Sequence, residues 1–180
     1  MEFRLRSSVL LSAVALIVAT VSLTAVADAP ASEGLLPPQL RKPAPPFALD
    51  SNVGRIDLSR YKGRVVLLDF WATWCTGCKV EIPWYMEFQK RYSRRGLTSI
   101  GVAMDEEGWK VVNPYLAQHP ISYPVVVGDA DCAKLFQIDS LPVTLLIDRN
   151  GRIADWHIGM VAKSTWEDEI RTLLREQAKK

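Results

Sequence analysis

The segment Asp69-Phe-Trp-Ala-Thr-Trp-Cys-Thr-Gly-Cys-Lys-Val-Glu81 brings a sulfur pair and two carboxylates into thirteen residues. Cys75 and Cys78 are spaced C-x-x-C, where an apolar run gives way to a helical stretch. One helical turn brings the two sulfurs within bonding reach, so a disulfide can close with little strain. Cys75 falls at the start of the helix, where free amide N–H groups and the dipole favour an anion. Its thiol should therefore ionise more readily than a free one. Cys78 lies inside the first turn and should be less exposed. This asymmetry makes Cys75 the attacking sulfur and Cys78 the resolving one.

Other uses of the pair fit less well. A zinc site needs two more ligands, and only Cys132, His119 and His157 remain, none in a paired spacing. A structural bridge over so small a loop constrains little chain entropy. Asp69 ends a run of four apolar residues and shares a strand face with Val65 and Leu67, so burial should raise its pKa. Glu81 is three residues past Cys78 and shares its helix face. Either acid is suited to moving the proton of the resolving thiol, and the spacing leaves open which one does so. Cys132 reads as a small buried hydrophobe. His119 reads as a helix end and His157 as an outward strand residue. Trp156 and Trp166 read as packing, and Asp105-Glu106-Glu107 as a solvated loop.

Alternating strands and helices must position these groups, which makes the domain α/β. Phe47–Asp50 and Ile56–Leu58 flank a turn at Ser51–Gly54, forming a hairpin. Val65–Trp71, Leu97–Ala103 and Val143–Ile147 are short continuous apolar runs, the pattern of strands buried on both faces. A shorter strand is expected over Tyr123–Val127 and another over Arg152–Ile158. Helices are expected over Thr76 to about Arg94, with Pro83 inside, and over Trp109–Gln118 and Asp131–Phe136. Ser164 with Glu167 three residues on predicts a capping box, opening a last helix to about Gln177.

These residues resemble the TlpA/ResA/CcmG (DsbE) group of extracytoplasmic thiol–disulfide oxidoreductases, within the thioredoxin superfamily. The resemblance runs from about Ala44 to Arg175. It rests on Ala44-Pro-Pro-Phe-Ala-Leu, Leu58-Ser-Arg-Tyr-Lys-Gly63, Phe70-Trp-Ala-Thr-Trp-Cys-Thr-Gly-Cys-Lys-Val-Glu-Ile-Pro83 and Leu141-Pro-Val-Thr-Leu-Leu-Ile-Asp148. It implies a thioredoxin fold: a central mixed β-sheet flanked by helices, with an N-terminal hairpin and a helix–strand insertion over residues 105–127. Glu81 matches the acid that group carries after its second cysteine, and Asp69 the buried aspartate of thioredoxin. The resemblance also implies a cis Leu141–Pro142 bond beside the dithiol, with Trp74, Thr76, Gly77 and Leu141 forming the substrate-binding surface. Val143 departs from the usual Thr. Thr76-Gly77 departs from the dipeptides of well-known members, and a glycine there should loosen the first turn. Peroxide-reducing relatives carry Pro-x-x-x-Thr-x-x-Cys, where this chain has Leu68 and Ala72.

The 180 residues carry 22 Lys+Arg, 20 Asp+Glu and three cysteines, which suits one domain with an appendage. A net charge of +2 is no footprint for nucleic acid. Arg4 and Arg6 precede an uncharged stretch from Ser7 to Ala27, closed by Ala25-Val-Ala27, so residues 1–27 read as a signal peptide or a membrane anchor. Six of the eleven prolines fall in residues 28–46, which read as a linker, leaving 47–180 as the domain. The expected function is a periplasmic or other extracytoplasmic oxidoreductase, soluble or anchored to the inner membrane. It would reduce disulfides of exported proteins, for example apocytochrome c, and be re-reduced by a membrane thiol donor. It would use no cofactor beyond the Cys75–Cys78 disulfide. An oxidant or isomerase of folding proteins is an alternative from the same chemistry, and a copper-binding carrier one from another class.

Overall fold

The computed structural model describes residues 34–178, so the expected signal peptide or anchor lies outside the described residues. Among those described, no helix is long and apolar enough to cross a membrane. Seven strands form one sheet: β1 (Ala48–Ser51), β2 (Gly54–Asp57), β3 (Val65–Trp71), β4 (Leu97–Ala103), β5 (Val125–Val127), β6 (Val143–Ile147) and β7 (Ile153–Ile158). Their order is β2-β1-β5-β4-β3-β6-β7. Strands β3, β4 and β5 run parallel, β6 is antiparallel to β3, and β7 is antiparallel to β6. The helices are α1 (Thr76–Tyr92), α2 (Trp109–Gln118), α3 (Ala130–Leu135) and α4 (Lys163–Arg175).

The central strands are apolar on both faces because both faces are covered. Val66, Leu68 and Phe70 of β3 pack with Cys132 and Phe136 on one side. Val65 and Leu67 pack on the other with Tyr85 and Phe88 of α1 and with Trp166, Ile170 and Leu173 of α4. Asp69 continues this second row, so it points at α1. The residues Trp71, Ala72, Cys75 and Cys78 then pack with Ile82 and with Val112 of α2.

Three expectations are corrected. Strand β5 begins at Val125, after Pro124, which has no N–H to give a ladder. No capping box forms: α4 starts at Lys163 after Ala162, and no side chain caps it. Ser164 is already inside the helix, and Glu167 bonds Arg91 and the Tyr92 hydroxyl, tying α4 to α1. Part of the proline-rich segment is bound to the domain. Leu36 N–H donates to Ala154, Ala44 N–H to Gly151, and Lys42 C=O accepts from Ile153, each at 2.8–2.9 Å. Arg41 is buried and reaches Asp148 at 3.2 Å and Glu176 at 2.6 Å.

Asp148 also accepts from Arg152 and from the N–H groups of Asn150 and Arg152, which with Arg41 outweigh burial and keep its pKa low. Replacing Arg41 leaves this carboxylate buried with less compensation. Arg41→Ala is expected to lower unfolding free energy by about 3 kcal/mol, read as a shifted guanidinium midpoint with an unchanged slope.

Candidate active site

Strand β3 ends at Trp71, and Cys75 is the N-cap of α1, with extended backbone angles of φ −76° and ψ 106°. Its Sγ accepts a hydrogen bond from Cys78 N–H at 3.2 Å. The helix amides thus face the sulfur that needs to carry charge. Cys75 and Cys78 are joined in a disulfide, with Cα atoms 5.4 Å apart. Cys75 is 5% exposed and Cys78 1%, so the nucleophile assigned from the spacing is also the more accessible sulfur.

The turn before Cys75 is fixed by a residue read from the sequence as solvated. Asp105 is buried and accepts from Thr73 N–H at 3.0 and 3.2 Å and from Thr73 Oγ1 at 2.6 Å. The acid sits just past β4, whose neighbour β3 leads to Thr73, so sheet pairing brings together what sequence distance conceals.

Asp69 and Glu81 are each 1% exposed, which removes the possibility that either reaches solvent. Burial, then the nearby charge of Glu81, pushes the Asp69 carboxyl well above the usual range. Tyr123 hydroxyl donates to Asp69 Oδ2 at 3.3 Å, while Oδ1 has no hydrogen-bond partner among the described residues. Glu81 is raised by burial too, but four groups pull it back: Trp166 Nε1–H at 3.2 Å, Val161 N–H, the Tyr85 hydroxyl and the charge of His157. Trp166 therefore does more than pack.

Leu141–Pro142 is cis and lies over the same turn. A Cβ on Gly77 would come 3.3 Å from Met160 Cγ and 3.4 Å from Pro142 Cδ, so a glycine here makes room for both loops. Trp74 is 67% exposed beside the dithiol and Met160 56%. Thr76 is exposed and Leu141 half-buried. Cys132 is buried, and burial together with Asp129 lifts its thiol to about 11, which makes it a poor nucleophile.

His157 is corrected as well. It is buried, with Nε2 3.2 Å from Asp155 Oδ2 and 3.1 Å from Glu169 Oε2. A bulge explains the misreading. Ile147 pairs with Ile153 but Leu146 pairs with Asp155, so Ala154 is extra and the alternation of β7 shifts. Asp155 and His157 then face α4. Their ligand atoms and that of Glu169 lie within 4.8 Å of one another, a spacing that could hold a metal ion. A proton on Nε2 already accounts for the convergence, and we read it as an ion triad. Burial lowers the His157 pKa, but hydrogen bonds to Asp155 and Glu169 outweigh it and lift the value from 6.5 to about 9.

With this geometry in place, the comparisons with known proteins are specific. A family model described as AhpC/TSA matches residues 40–156. The chain belongs to the AhpC/TSA family. It is 32% identical over 132 residues to "Thiol-disulfide oxidoreductase ResA" of Bacillus subtilis, covering 72% of this chain and 73% of that one. It is 30% identical over 129 residues to "Thioredoxin-like protein YneN" of Bacillus subtilis, covering 71% and 76%. A crystal structure from Chlorobium tepidum, given as a candidate thiol:disulfide interchange protein DsbE, superposes with a TM-score of 0.71. It is 33% identical and covers 74% of this chain and 96% of its own. This AhpC/TSA chain has the thioredoxin-like fold and is a thiol–disulfide oxidoreductase of the ResA/DsbE type, with Cys75–Cys78 as its C-x-x-C pair.

Two outcomes are expected from these contacts. Asp105→Ala removes three acceptor contacts to Thr73 and should cost about 1–3 kcal/mol in thermal unfolding, with slower reduction of the dithiol. The folded pKa of His157 lies above its unfolded value, so its contribution is complete below pH 6.5 and is lost as pH rises through about 9. Stability should fall by about 2–3 kcal/mol across that window, and His157→Gln should flatten the decline.

Proposed function

We propose that this oxidoreductase acts outside the cytoplasm as a reductant of disulfides in exported proteins, apocytochrome c among the candidate clients. The observation that carries the reading is the Cys75–Cys78 disulfide at the start of α1 with two acids buried nearby, Asp69 on β3 and Glu81 three residues past Cys78 on α1. In the reducing direction the Cys75 thiolate attacks a client disulfide, forms a mixed disulfide and expels one client thiolate. Cys78 then loses its proton and attacks Cys75 Sγ, which releases the second client thiolate and leaves the Cys75–Cys78 disulfide. Two electrons pass to the client in the exchange.

The base for Cys78 must be ionised part of the time near neutral pH. Asp69 is pushed well above the usual range by burial and then by the charge of Glu81, which favours its neutral form. Glu81 is raised less, because Trp166, Val161, Tyr85 and His157 support its charged form. Glu81, buried on α1 one turn past Cys78, is the acid we assign as proton carrier, with Asp69 buried beside it. Trp74, Thr76, Gly77, Leu141 and Pro142 surround Cys75 and form the client surface. The cycle needs no cofactor beyond the sulfur pair. The disulfide is re-reduced by a thiol donor in the membrane. The apolar stretch in residues 1–27 supports this compartment.

The reduction potential in defined thiol buffers tests the direction. A value near or below about −270 mV fits a reductant, while one towards about −120 mV would instead indicate an oxidant of folding proteins. Cys78→Ser should trap the mixed disulfide on Cys75, visible on non-reducing gels. Glu81→Gln should slow resolution of that species near neutral pH by roughly a hundredfold, the lower end of general-base contributions.

A further inference from the structure

A buried imidazolium is costly in a domain that could fill the same space with apolar side chains. His157 is one, and it stands directly behind the group that supports Glu81. Its ring centroid is 4.5 Å from that of Trp166, at an interplanar angle of 80°. Trp166 is fully buried and donates Nε1–H to Glu81 Oε1. A second route runs beside the first. His157 pairs with Thr144 across β6 and β7, Thr144 Oγ1 lies 3.1 Å from the Tyr85 hydroxyl, and Tyr85 packs edge-on to Trp166 with centroids 5.8 Å apart.

We propose that His157 is a positioning residue for the dithiol reaction: clamped as an imidazolium by Asp155 and Glu169, it fixes the Trp166 indole against Glu81 and places a positive charge behind it. This rests on Glu81 as the carrier of the Cys78 proton. The charged and titratable groups around the imidazolium are Asp155 on its own strand, Glu169 on α4 and Glu81 on α1. Tyr85 and Asp69 come next, each coupled to Glu81, with Tyr123 beyond them.

The sign follows from the charges. Neutralising position 157 removes a cation that favours ionised Glu81, so the carboxylate becomes harder to form. Neutralising Glu169 removes an anion while Asp155 still holds the imidazolium, so Glu81 is not made harder to ionise. A cluster that merely packs α4 against β7 would respond alike to both changes.

The test is a carbon-13 carboxyl titration of Glu81 in the reduced protein, assigned with Glu81→Gln, in the wild type, His157→Gln and Glu169→Gln. The expected result is an upward shift of the Glu81 midpoint in His157→Gln, and none, or a downward one, in Glu169→Gln. An unmoved midpoint in His157→Gln would overturn the proposal, as would an equal upward shift in both variants. Resolution of the mixed disulfide is followed against pH in the same proteins, and its profile should move to higher pH in His157→Gln. The two readings fail separately. Resolution unaltered in Glu81→Gln would remove Glu81 from the thiol step, whereas the titration of Glu81 reports on His157 whatever Glu81 does.

Discussion

Two carboxyl groups buried together against the α1 face of β3 set the terms for everything around them. Water cannot screen Asp69 or Glu81, so each must be neutral or held by donors. The structure supplies donors unequally. Asp69 receives one long hydrogen bond from Tyr123. Glu81 Oε1 accepts from the Trp166 indole at 3.2 Å while Oε2 has no hydrogen-bond partner among the described residues, and the Val161 amide, the Tyr85 hydroxyl and the charge of His157 add to the support for its ionised form. One site thus treats two similar acids differently, raising Asp69 well above the usual range and Glu81 less, because donors and a cation oppose the burial of Glu81. The packing of α4 on α1 and β7 brings these donors into place, so the last helix belongs to the site although no reacting atom lies on it.

The sulfur pair is prepared in a complementary way. Cys75 needs negative charge at the protein surface, and the N-terminus of α1 provides amides for it. Cys78 is 1% exposed, and in the mechanism proposed above its proton passes to Glu81. The turn must also stay open to an extended client. Gly77 lets Pro142 and Met160 close onto the first turn of α1, while Trp74 remains exposed on the other side of Cys75. Asp105 holds the backbone just ahead of this turn, so the cap position of Cys75 is not left to the disulfide alone.

Much of this was legible in the residues. Val65–Trp71, Leu97–Ala103 and Val143–Ile147 are strands over the predicted spans, because apolar runs of that length have few alternatives in a sheet covered on both faces. The start of α1 followed from the C-x-x-C spacing, and the burial of Asp69 from its place in the apolar run. Residues whose roles depend on partners far along the chain were not legible. Asp105 looks like one of three adjacent acids, yet Thr73 lies 32 positions away and satisfies it. Ser164 and Glu167 have the spacing of a capping box, but Arg91 and Tyr92 on α1 claim the glutamate. Local pattern lost to tertiary partners in both cases. His157 was hidden differently: one extra residue at Ala154 shifts the alternation by which strand faces are read.

That shift also bears on why an ion triad sits on this particular strand. β7 ends the sheet, and an edge strand commonly carries charged side chains that keep other chains from pairing with it. Here the bulge rotates Asp155 and His157 beneath α4, where Glu169 closes over them. Charges that would otherwise guard an exposed edge become internal and need mutual compensation. A carboxylate pair with one imidazolium satisfies the hydrogen-bonding demand, but a well-packed apolar cluster would serve stability as well or better. What an apolar cluster cannot do is place a cation one indole away from Glu81, the carboxylate we assign to the thiol step.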